Sequence, residues 1–177
     1  VNRLPLQFLP GDTYATRHQG PVLQQLEHAS DADATVNDAF RPVSRFFDRI
    51  TRPEQLLTAL PQAMRVLTSP TDTGAVVISL PQDIQSHAFD FPVEFFEPRD
   101  WKIRRPLPDP DEVTQVAALI REASRPVLIA GGGVHYSDAH TALEQFAETA
   151  GIPVVETFGG KGAVSRDAWW QVGGVGL

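Results

Sequence analysis

The feature that most constrains this chain is a glycine triplet placed directly after a short apolar run. Pro126-Val-Leu-Ile-Ala130 empties into Gly131-Gly132-Gly133, and after Ser137 an amphipathic segment over residues 139–150 closes at Gly151. A second apolar run, residues 152–155, leads into Thr157-Phe-Gly-Gly-Lys-Gly162. Strand, glycine loop, helix and strand in that order require a right-handed crossover and a parallel sheet. The fold class is therefore α/β, built of parallel-sheet three-layer units. Ligands of such sheets sit at the carboxyl ends of the strands, and both glycine clusters fall there.

Gly131, Gly132 and Gly133, with Thr157, Gly160 and Lys161, make a candidate nucleotide-like pocket. Adjacent glycines let a backbone approach a phosphate, and the N-terminus of the following helix favours an anion. The dinucleotide fingerprint Gly-x-Gly-x-x-Gly is broken by Tyr136, and Gly160-Lys161-Gly162 lacks the spacing and the Ser/Thr of a P-loop. Glu156 ends the second strand, where a dinucleotide fold places an acidic ribose ligand. A purely structural pocket is the competing reading, since a fold alone says little about a ligand.

Composition narrows the classes. A length of 177 residues, 42% of them hydrophobic, suffices for a real core in one domain or two small ones. The formal charge of −7 argues against a nucleic-acid or anionic-membrane partner. The absence of cysteine removes disulfides and thiolate metal sites, which suits the cytoplasm. No apolar run approaches the roughly 20 residues of a membrane span. Val1 followed at once by an apolar run, and a glycine-rich end from Gln171, read as an internal piece of a longer chain.

In chain order, residues 4–9 are a predicted strand ending in a Pro10-Gly11-Asp12 turn, and residues 21–29 a helix. Residues 30–37 read as polar and exposed. Residues 38–43 read as extended or turn, because Pro42 disfavours helix at Arg41, and residues 44–50 as a short helix. Thr51-x-x-Glu54 has the form of a capping box, so Thr51 starts a helix to about Thr68, with Leu56, Leu57, Leu60, Met64 and Leu67 as its apolar stripe and Pro61 bending it. Residues 75–80 form the kind of continuous apolar run that is buried on both faces of a parallel sheet.

Periodicity vanishes over residues 86–110, where prolines alternate with Phe89, Phe91, Phe95, Phe96 and Trp101, so this stretch reads as a packed, extended connector. Asp109-Pro-Asp-Glu112 then caps a helix whose buried face is Val113, Val116, Ala117 and Ile120. His135 and His140 are off the i, i+4 geometry of a shared metal and read as surface residues. Trp169-Trp170 reads as an exposed pair facing a partner subunit or a further domain.

Gly74-Ala-Val-Val-Ile-Ser-Leu-Pro-Gln-Asp-Ile84, the proline-rich connector and Arg125-Pro-Val-Leu-Ile-Ala-Gly-Gly-Gly133 together resemble the interdomain junction of thiamine-diphosphate enzymes of the acetolactate synthase type. Asp38-Ala-Phe40 and Gly151-Ile-Pro-Val-Val155 match in kind and order. Within that superfamily, Leu9-Pro-Gly-Asp-Thr-Tyr-Ala-Thr-Arg17, Pro21-Val-Leu-Gln-Gln-Leu26, Arg45-Phe-Phe-Asp-Arg49 and Gly160-Lys-Gly-Ala163 are most similar to the inositol-catabolic branch of ring-opening diketone hydrolases. The resemblance implies that residues 1–85 are the second half of a pyrimidine-binding domain, 86–108 the connector and 109–177 the start of a Rossmann-like central domain.

The resemblance also implies the chemistry. The full protein would use thiamine diphosphate and Mg2+ to open a trihydroxycyclohexane-1,2-dione to 5-deoxyglucuronate, as a cytoplasmic homodimer or homotetramer. The cofactor-activating glutamate would precede Val1 and the Mg2+ and diphosphate ligands would follow Leu177, so this chain alone should hold no catalytic residue and no activity. Asp12 would fall at the pyrimidine edge and Phe40-Arg41 close to substrate. Both depart from the acetolactate synthase residue types, and a capping Asp12 with a solvated Arg41 is the plainer reading. A carboligase or decarboxylase of the acetolactate synthase kind, and an FAD- or NAD-binding module without catalysis, are the alternatives.

Overall fold

The computed structural model describes residues 3–16, 31 and 34–176. Two compact units emerge, Arg3–Arg104 and Arg105–Leu177, dividing inside the stretch assigned to the connector. The helix predicted over 21–29, and the motif residues Arg17 and 21–26, lie outside the described residues.

The first unit is organised around strand β4, Val76–Pro81, all but one of whose residues are buried. Every neighbour of β4 runs parallel to it. Strands β1, Gln7–Phe8, and β2, Gly11–Asp12, follow one edge, with Gln7 beside Val76 and Gly11 beside Leu80. The register is therefore unbroken across Leu9-Pro10, and the expected turn at Pro10-Gly11-Asp12 does not form. Pro10 has no N–H to give, but its carbonyl accepts from the Leu80 N–H at 2.9 Å, so it interrupts the ladder without turning the chain.

Strand β3, Phe46–Arg49, lies on the opposite edge, from Phe46 beside Val76 to Arg49 beside Ser79. A helix was expected over residues 44–50. Two adjacent aromatics suit a pleated, half-buried surface, and β4 supplies a ladder partner that local propensity cannot reveal.

Two further local expectations change. Residues Val36–Val43 form a 3-10 helix rather than an extended piece, because Thr35 caps it from Asn37 N–H and Asp38 returns the bond to Thr35 N–H at 2.9 Å. Pro42 sits in the last turn, where its missing donor matters least. Thr35 and Asn37, expected in an exposed stretch, are buried.

Helix α1, Leu56–Leu67, contains Pro61 as predicted but not the Thr51–Glu54 capping box; Gln55 instead accepts from Thr51 N–H at 3.0 Å. Its deepest stripe is Ala59, Ala63 and Val66, with Leu56, Leu60 and Leu67 flanking, so Leu57 and Met64 leave the core. Small residues are deepest because they let the helix approach Val76 and Ile78 closely. In the connector, Phe91 packs on Phe89, Phe95 and Phe96, with its centroid 4.8 Å from Phe89.

The second unit is a parallel sheet of β5, Leu128–Ala130, β6, Val154–Glu156, and β7, Gln171–Gly174, in that order. Strand β7 replaces the glycine-rich turn read from the sequence: Gly173, at φ 116°, absorbs an irregular register that no other residue type takes readily. Helix α4, His140–Ala150, ends at Gly151 in the left-handed conformation, φ 65°. Its Ala147 packs with Ala130, Val154, Ala163, Val164 and Trp170 to form the core. Trp170 is 5% exposed and Trp169 68%, so the two are not an exposed pair.

Helix α2, Pro110–Glu122, is capped by Asp109 as the sequence requires, its carboxylate accepting from Asp111 N–H at 2.8 Å. No residue of it is buried, however, and Val113 and Val116, expected to be core, are about half exposed. They line an apolar groove with Phe146 and Ala150 instead. Among the described residues, no helix is long and apolar enough to cross a membrane.

Candidate functional site

The carboxyl ends of β2, β3 and β4 converge on Asp12, whose side chain is fully buried. Arg49 Nε donates to Asp12 Oδ2 at 2.9 Å, the Ser79 hydroxyl donates to the same oxygen, and Thr13 N–H donates to Oδ1 at 2.7 Å. Arg49 Nη2 donates to the Thr13 hydroxyl and to the Thr13 and Tyr14 carbonyls. A buried carboxylate survives only with such pairing. Asp12 therefore serves first as the hub joining three strand ends.

Asn37 extends this hub to the 3-10 helix, donating to the Gly11 carbonyl at 2.7 Å and to Ser79 Oγ at 2.9 Å. That helix carries Phe40 and Arg41. Phe40 meets Phe8 of β1 edge-on at 5.1 Å, and the Arg41 guanidinium lies 4.1 Å over the Phe47 ring of β3. Arg41 also pairs with Asp38 at 2.7 Å yet stays half exposed. The Thr35 N–H, then Arg41, hold the Asp38 carboxyl below its ordinary range. Arg41 thus presents an oriented guanidinium over the sheet face at the level of Val77, a group suited to a polyoxygenated or enolate ligand.

Asp83 closes the next turn. Burial works to raise its carboxyl, but the Thr16 hydroxyl and the Ala15 and Thr16 N–H groups outweigh it and hold it at about 2. Those bonds span 2.6 to 2.9 Å and tie the loop after β2 to the end of β4.

In the second unit the predicted glycine residues separate. None of Gly131, Gly132 and Gly133 needs positive φ, and a Cβ on Gly133 would meet nothing. They lead into α3, Gly133–Ser137, one short turn ended by Asp138 at φ 54°, and the helix expected over 139–150 follows as α4 from His140, so α3 separates its N-terminus from the triplet. Gly160 is the tightest: a Cβ there would stand 2.1 Å from the Ala130 carbonyl oxygen. Thr157 fixes that approach, its hydroxyl accepting from Gly160 N–H at 3.1 Å and donating to Ala130 O at 3.3 Å.

An open pocket of about 590 Å³ lies beyond the ends of β6 and β7, lined by Thr157, Lys161 and Arg166 among others, but not by the triplet. Glu156 borders it and accepts from Val164 N–H at 3.2 Å, which uses one of the oxygens a ribose would need. His135 and His140 are partly buried rather than surface residues, with ring centroids 4.9 Å apart and His140 Nδ1 3.1 Å from Ala163 O. Among the described residues, no group of three or more His, Cys, Asp or Glu is arranged to hold a metal.

Sequence reasoning missed Arg49, Ser79, Asn37, Asp83 and Arg166. The Thr35-x-x-Asp38 spacing signalled the cap beside Asn37. Nothing local could have joined Arg49 to Asp12, because they lie on two strands that pair with β4 and not with each other.

Comparison with known proteins agrees with this architecture. Residues 113–177 match the family model of the thiamine pyrophosphate enzyme central domain. Over all 177 residues the chain is 51% identical to proteins named 3D-(3,5/4)-trihydroxycyclohexane-1,2-dione hydrolase from Bacillus thuringiensis (strain Al Hakam) and Bacillus anthracis, and 49% identical to that of Geobacillus thermodenitrificans (strain NG80-2). The chain spans 28% of the length of each of these relatives. A Mycobacterium smegmatis protein described as a thiamin diphosphate-dependent enzyme superposes with a TM-score of 0.63 at 25% identity, over 99% of this chain and 32% of that one. Residues 113–177 thus match the thiamine pyrophosphate enzyme central domain, and the whole chain is similar to part of thiamine-diphosphate enzymes.

Proposed function

We propose that this chain is part of a thiamine-diphosphate-dependent hydrolase that opens the ring of a trihydroxycyclohexane-1,2-dione to 5-deoxyglucuronate, in the cytoplasm and as a homo-oligomer. The carrying observation is the 51% identity to the named hydrolases over the whole chain. When bound, thiamine diphosphate supplies an electron sink for carbon–carbon cleavage, with Mg2+ anchoring its diphosphate.

What these residues contribute is placement. In this reading the first unit is the second half of the pyrimidine-binding domain. The face of its sheet carries Phe40 as an apolar wall beside Phe8, and Arg41 over Phe47 as a half-exposed cation that would meet the diketone oxygens. Asp12 fits the pyrimidine side poorly as a direct partner, since both of its oxygens already accept bonds inside the chain. It acts by holding the three strand ends that frame the surface. In this reading the Mg2+ ligands come from other parts of the protein.

The test is an assay of the full natural polypeptide carrying these residues, supplied with thiamine diphosphate, Mg2+ and the cyclic diketone. The expected product is the open-chain 5-deoxyglucuronate, while the isolated 177 residues give none. Acetolactate from pyruvate, with no diketone consumed, would replace this reading with the carboligase alternative.

A further inference from the structure

The 3-10 helix Val36–Val43 is well tied to itself and thinly tied to the sheet beneath it. Its internal bonds are the Thr35–Asp38 cap and the Asp38–Arg41 pair. Towards the sheet, the Phe40 and Arg41 contacts are ring packings, and the Thr35 hydroxyl reaches Asp12 Oδ2 only at 3.4 Å. The short polar links are both made by one side chain, the carboxamide of Asn37, which is 3% exposed.

The direction of these bonds matters. Asn37 Nδ2 gives one hydrogen to the Gly11 carbonyl and the other to Ser79 Oγ, and the Ser79 hydroxyl passes its own hydrogen to Asp12. Arg49 donates to the same carboxylate. One relay of hydrogens runs from Asn37 through Ser79 to Asp12 while the other ends on the Gly11 carbonyl, so position 37 must supply two donors from one short side chain. Aspartate there has none and would set a second carboxylate beside the first; alanine leaves the Gly11 carbonyl without its partner.

We infer that Asn37 is a positioning residue: it fixes the segment that presents Phe40 and Arg41, and so sets substrate affinity without touching substrate. The substrate part rests on the hydrolase reading above, whereas the fastening does not.

The test uses the full natural polypeptide and its Asn37→Ala and Ser79→Ala variants, measured two ways. In hydrogen exchange read by mass spectrometry, Asn37→Ala is expected to speed exchange across residues 35–43 by about tenfold or more, the equilibrium factor of a single lost hydrogen bond where two are removed, with residues 76–81 unchanged. Ser79→Ala, which removes one of the two acceptors and also the Ser79 bond to Asp12, gives a smaller change in residues 35–43 than Asn37→Ala. In steady-state kinetics with the diketone, Asn37→Ala raises KM while kcat changes little. Unchanged exchange in 35–43, or equal acceleration in 76–81, would overturn the fastening. A faster segment with an unaltered KM would overturn the positioning role. Absence of diketone turnover by the unmodified protein would instead sink the hydrolase reading, and the exchange result would still decide the fastening.

Discussion

Arg49 and Asp12 meet 2.9 Å apart at the ends of two strands that flank β4 on opposite edges, with the carboxylate wholly inside and the guanidinium nearly so. The pair closes over the end of β4, and the Ser79 hydroxyl of that strand donates to the same Asp12 oxygen as Arg49. Removing one partner of such a pair strands the other charge. Arg49→Leu is expected to cost about 3–5 kcal/mol in urea unfolding, and adding Asp12→Asn to recover much of that loss. An Arg49→Leu variant as stable as the parent would show that water already reaches the carboxylate.

Asp83 gives a pH dependence with a definite sign. Its folded carboxyl is held at about 2, below an unfolded value near 4, so the stabilisation is fully present above roughly pH 4 and fades as pH falls towards 2. The effect is on the order of 2 kcal/mol. Asp83→Asn should flatten that part of the stability curve, and its loss should appear as loosening of residues 13–16, which NMR amide shifts would report.

Glycine has opposite meanings at two positions of the second unit. Gly160→Ala forces a methyl group against the Ala130 carbonyl and is expected to destabilise by about 1–3 kcal/mol or more. Gly133→Ala enters open space at the start of α3 and should be neutral or slightly stabilising. Thermal unfolding of the two variants side by side decides it; equal shifts would contradict the close approach.

The adjacent tryptophans separate just as sharply. Trp170→Ala empties a core position between Ala163 and Val154 and should cost about 3–5 kcal/mol, whereas Trp169→Ala should fall within about 0.5 kcal/mol of the parent. Denaturant midpoints report both.

What could be read from the chain alone was whatever depends on neighbours in sequence. The apolar runs at 75–80, 126–130 and 152–155, the Asp109-Pro110 helix start and the Gly151 stop are local signals, and strands Val76–Pro81, Leu128–Ala130 and Val154–Glu156 and the two helix ends fall on them. The resemblance carried by the 74–84 and 125–133 motifs placed the superfamily for the same reason. Tertiary structure decided the rest. Residues 46–49 are a strand only because β4 offers them a ladder, and β7 forms through glycines that look like a turn. Ala59 rather than Leu57 is deepest because helix–sheet distance, not hydrophobicity, selects the contact. Asp12, Asn37, Arg49 and Ser79 become one buried network through pairings up to 67 residues apart. A hydrogen bond has no sequence period, so a polar cluster of that kind exists only once the strands have met.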